Sequence, residues 1–64
     1  MEVRNILNNR KHNSMGYPML VVESDPFNDI VNISMEEENG SLIGKVVEVR
    51  GDELIKAIQN AMNH

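Results

Sequence analysis

The sequence predicts an α+β fold: a small antiparallel β-meander of three to four strands packed by one C-terminal α-helix. Three observations carry that expectation. Ile30-Val31-Asn32-Ile33-Ser34-Met35 alternates apolar and polar residues, the period of a half-buried strand. Asn39-Gly40, two residues that tolerate positive φ, separates it from a second apolar run, Leu42 to Val49, as a hairpin turn does. Gly51-Asp52-Glu53 then opens a run in which Leu54, Ile55, Ile58, Ala61 and Met62 recur at helical spacing.

Taken in order, Glu2 to Asn8 fits two periods. Val3, Ile6 and Leu7 suit one helical face, and Val3, Asn5 and Leu7 one strand face. A hairpin partner downstream favours the strand. Asn8 to Pro18 has no apolar period and carries Gly16 and Pro18, so it reads as a loop. Met19 to Glu23 is short, apolar and β-branched, hence a strand. Ser24 to Asp29 is a turn, in which Pro26 sets φ and Asp25 and Asn28 can bond their own backbone. The third strand, Ile30 to about Glu37, turns Val31, Ile33 and Met35 to one face and Asn32, Ser34 and Glu36 to the other. The acids Glu36, Glu37 and Glu38 are expected at its solvated end.

A two-residue turn at Asn39-Gly40 sets Val31 opposite Glu48, placing a carboxylate beside buried valine at a cost. One extra residue near Gly44 repairs the register: Leu42 stays inward, Val47 opposes Ile33 and Val49 opposes Val31. The alternative is a looser loop with no bulge. Asp52 is the expected helix N-cap. At about 11 residues the helix is marginal alone, so its stripe is expected to rest on the sheet. Met19, Met35 and Met62 fall at expected core positions.

The 64 residues leave room for one domain, 1–64. Cysteine is absent, and His12 and His64 lie far apart, so neither disulfides nor a zinc site can stabilise so small a core. Self-association is the remaining route, most simply a two-fold dimer. The N-terminus has no signal pattern and no apolar run approaches the roughly 20 residues of a membrane span, so a soluble cytoplasmic protein is expected. The net charge of −4 is unevenly spread, +2 over residues 1–19 and −6 over residues 20–64. An acidic chain is a poor general nucleic-acid binder, because phosphate neutralisation dominates that affinity. A local basic loop on an acidic body can still select a small anion.

Ligand-type groups concentrate in one place, Arg10, Lys11 and His12, with Tyr17 close behind. Arginine offers a donor fork for phosphate or carboxylate, lysine a point charge and tyrosine a stacking face. The opposing reading is a solvated polar loop. No serine has a histidine at a spacing that suggests an activated nucleophile, the carboxylate groupings suit strand ends, and the glycines are scattered. No catalytic residue, metal site or cofactor is therefore expected. The expected function is a non-catalytic binding module that sequesters a small anion, best a nucleotide, at an oligomer interface, where a two-fold groove would suit a cyclic dinucleotide. The alternative is an acidic inhibitor or adaptor that occludes a host protein through Glu36–Glu38 or an open sheet edge. In composition the chain resembles the small accessory inhibitors that bacteriophages encode. In layout it resembles transcriptional-coactivator-like single-strand binders, but their basic and aromatic sheet face is replaced here by Asn32, Ser34, Val46 and Glu48.

Overall fold

The computed structural model describes residues 3–11 and 15–63. Four strands, β1 (Arg4–Leu7), β2 (Met19–Ser24), β3 (Ile30–Glu36) and β4 (Leu42–Arg50), precede one helix, α1 (Gly51–Met62). The strands form one antiparallel sheet in the order β1-β2-β3-β4, so the α+β meander is as predicted. Of the span 2–8, which fits either period, Arg4–Leu7 form a strand, while Glu2 lies outside the described residues. In the 25–29 turn the Phe27 N–H donates to Asp25 Oδ1 at 3.1 Å, the side-chain turn that aspartate favours.

The β3–β4 register matches the sequence reading where it matters most: Ile33 pairs Val47 and Val31 pairs Val49. The route to it differs. The Gly40 N–H donates to the Glu37 carbonyl and the Glu37 N–H to the Ser41 carbonyl, so the loop is three residues, Glu38-Asn39-Gly40. Only Gly40 takes positive φ, at 85°, as a three-residue hairpin demands. The longer loop sets Leu42 opposite Glu36 and Ile43 opposite Met35. Leu42 therefore faces away from Met35, and Ile43 takes the inward place expected of Leu42. Between Ile43 and Val47 the three residues Gly44, Lys45 and Val46 span the single residue Ser34, with Gly44 at φ 72°. The bulge thus holds two extra residues, and an even number keeps side-chain parity, so Ile43, Val47 and Val49 share one face.

That face also carries Leu20 and Val22 of β2, yet Leu20, Met35 and Val47 are exposed. The opposite, more polar face holds the best-buried residues, Val21 at 0% and Ser34 at 7% exposure. The register explains the inversion. Arg4 pairs Glu23 on β2, and Glu36 pairs Met19, so Arg4, Val21 and Glu36 lie on one diagonal across three strands. Arg4 Nη2 donates to Glu36 Oε1 at 2.6 Å, while Arg4 Nη1 lies 3.7 Å from Glu23 Oε1. This bridge crosses the place that Val21 occupies. The hydrogen bond that Arg4 donates to Glu36, with the charges of Glu36 and Glu23, holds the Arg4 pKa above the ordinary arginine value. Glu36, expected at a solvated strand end, is instead drawn into this bridge.

The helix departs from expectation in how it meets the sheet. Arg50 ends β4 and Gly51 begins α1, with no residue between. Arg50, not Asp52, occupies the N-cap position, with extended backbone and no side-chain cap. The Gly51 N–H donates to the Asp29 carbonyl at 2.8 Å, so the turn before β3 satisfies a donor that a capping side chain would otherwise take. Asp52 sits in the first turn, where its charge suits the positive helix end, and pairs with Arg50 at 3.3 Å. No helix residue is buried, and Ile55, Ile58 and Met62 are exposed. The stripe does not rest on its own sheet, because a helix that continues a strand without a loop cannot fold back over it. Met35 and Met62 are accordingly exposed, whereas Met19 is half-buried.

Candidate functional site

The β1–β2 loop and the β3–β4 hairpin leave the same end of the sheet, since Leu7 pairs with Leu20 and the adjoining Met19 pairs with Glu36. The β2–β3 turn and α1 lie at the other end, joined by the Gly51–Asp29 bond. The first of these ends therefore sets a cationic loop beside an acidic hairpin.

Asn9 organises the base of the loop. Its N–H donates to the Gly16 carbonyl at 3.1 Å, its Nδ2 to the Tyr17 carbonyl at 3.5 Å, and its Oδ1 accepts the Lys11 N–H at 2.8 Å. Asparagine suits this role because its amide offers donors and an acceptor at once. Met15 takes φ 55°, in the left-handed region that side chains disfavour, followed by Gly16 at φ 88°. Arg10 and Lys11 stand exposed, and neither makes an ion pair among the described residues. By contrast, Arg4 is held by Glu36 and Glu23, and Arg50 by Asp52. Tyr17 is half-buried where the loop closes. The structure so brings Arg10, Lys11 and Tyr17 to one loop, while His12 lies outside the described residues. Asn9 was not singled out by sequence reading. Its signal was an Asn two residues before a backbone N–H in a polar loop.

On the hairpin, Glu37 and Glu38 are exposed and lack ion pairs among the described residues, since Glu36 alone is drawn to Arg4. Asn32 Oδ1 is buried with no hydrogen-bond partner, although Asn32 Nδ2 donates to Asp25 Oδ2 at 3.0 Å. Among the described residues no pocket forms, and no group of three or more His, Asp or Glu is placed to hold a metal. No helix among them is long and apolar enough to cross a membrane. No family model matches the chain, and neither a curated protein nor a solved structure matches it.

Proposed function

We propose that the protein is a non-catalytic binding module that captures an anionic ligand, best a nucleotide, on the Arg10–Tyr17 loop. The observation that carries this reading is the pair Arg10 and Lys11: adjacent, exposed and without ion pairs among the described residues, on a loop pinned at its base by Asn9. Arg10 and Lys11 grip phosphate or carboxylate oxygens, and Tyr17 presents its ring to a base. Pinning the loop before the ligand arrives lowers the ordering cost of binding. As no pocket forms among the described residues, a single copy grips its ligand from one side. The acidic surface elsewhere disfavours long polyanions.

A second reading, a protein inhibitor acting through Glu37 and Glu38, has one observation in its favour. These acids are exposed, and among the described residues they make no ion pair and border no pocket. A thermal-shift screen with nucleotides, run beside a pull-down from bacterial lysate, separates the two. A ligand at one hundred times its Kd adds about 2.7 kcal/mol of stability. Calorimetry on the ligand or partner found then compares Arg10→Ala, Tyr17→Ala and Glu37→Gln. Loss of a charged contact should weaken binding roughly 10- to 100-fold. If both loop variants bind normally and Glu37→Gln abolishes binding, the nucleotide reading is lost to the inhibitor reading.

A further inference from the structure

We propose that a second copy of this chain covers the exposed apolar surfaces, with α1 of each copy lying on the sheet of the other in a two-fold exchange. The accessible surface is 5496 Å². A compact monomer of this length exposes only about 4,200 Å², so the excess is about 1,300 Å² per copy. A standard interface buries about 800 Å² on each partner, and obligate dimers bury more. The excess is thus what a stable dimer removes. The radius of gyration, 12.7 Å against about 10.7 Å for a compact chain of 64 residues, agrees.

The excess has a location. Ile55, Ile58 and Met62 are 59%, 50% and 76% exposed on the helix, and Leu20, Met35 and Val47 share one exposed face of the sheet. The two patches match in chemistry, but neither can reach the other within one chain. The junction from Arg50 to Gly51 has no loop, and the Gly51–Asp29 hydrogen bond fixes where the helix starts. Reversing direction over the sheet takes a connection of at least two residues. The helix stripe therefore meets a sheet only on another molecule. A foreign partner on either patch leaves the other bare, whereas a reciprocal pair of identical chains covers both with one repeated contact. These surfaces share no residue with the Arg10–Tyr17 loop, so the assembly and the ligand reading can fail separately.

The test is complementation, read by sedimentation and circular dichroism of the full chain at micromolar concentration. Ile58→Glu charges the helix stripe and Val47→Lys charges the sheet face. Each alone should weaken the dimer at least 10-fold or leave the chain unfolded. Mixed together, they should recover a dimer and a cooperative melt, because the intact helix of the Val47→Lys chain finds the intact sheet of the Ile58→Glu chain. Gln59→Glu, the same charge on the opposite helix face, should dimerise like the wild type. A mixture that behaves as its two components do, as helix-on-helix or sheet-on-sheet pairing requires, overturns the exchange. So does a wild-type chain that sediments as a cooperatively melting monomer.

Discussion

Val21 is the one apolar residue among those described that is wholly removed from solvent, and it lies beneath the Arg4–Glu36 bridge. Val21→Ala deletes two buried carbons. At about 0.8 kcal/mol for each, transfer alone costs about 1.6 kcal/mol. The hole left behind adds to this, because the strand backbone and the arginine bridge hold its walls apart. The expected loss is therefore about 2–3 kcal/mol. A domain of this length has roughly 3–10 kcal/mol in all, so the variant keeps little in reserve. Equilibrium unfolding in urea measures the loss, at one fixed protein concentration so that any self-association contributes equally. Val46→Ala is the matched control: the same chemistry at a half-exposed position inside the bulge, where less than about 1 kcal/mol should be lost. Equal losses at the two positions, or a Val21→Ala chain within about 0.5 kcal/mol of wild type, would show that the arginine-covered valine is no core at all.

Three further outcomes follow from the same geometry. Arg4→Met, which keeps a long stem over Val21, should lower the urea midpoint less than Arg4→Ala does. If the two variants lower the urea midpoint equally, and 1 M salt abolishes their loss relative to wild type, charge and not cover is what matters. Gly40→Ala should lose about 1–2 kcal/mol by urea titration, since its φ of 85° is strained for a side chain even though nothing lies near the new Cβ. Gly51→Ala should gain about 0.5–1 kcal/mol: its Cβ would meet the Asp29 carbonyl oxygen at an ordinary 3.8 Å and alanine favours the helix. A lower melting temperature for that variant at matched concentration would count against the helix start described.

The elements were legible because each has its own period. Ile30 to Met35 alternates and Leu54 to Met62 recurs at helical spacing, and both periods survive into the structure. Periodicity reports that a face is apolar, however, and not what the face meets. Ile58 was expected against its own sheet, but the direct junction at Arg50–Gly51 forbids it. Asn39-Gly40 suggested a two-residue turn, while the hydrogen bonds of Glu37 enlarge the loop by one and the bulge gains one to match. Composition also misleads on burial. Ser34 reads as an outward polar residue, yet it is buried opposite Val21, on the face where the Arg4 guanidinium reaches from β1 across to Glu36. A contact between residues 32 apart leaves no local trace. At the loop, the residue types were visible in Arg10, Lys11 and Tyr17, whereas the Asn9 clasp that gathers them needed coordinates.

The bulge at Gly44–Val46 has a consequence for how this chain survives in a crowded solution. An open sheet can grow at its margins, strand upon strand, into a fibre. One margin here, β1, is only four residues long. The other, β4, has nine, long enough to template a neighbour. The bulge cuts it into the short stretches Leu42–Ile43 and Val47–Arg50, and places Lys45 at the break. A straight ribbon from another molecule finds no continuous run of partners there. Smoothing that kink by removing two residues would lengthen the template, and the price of a tidier strand would be a polymer.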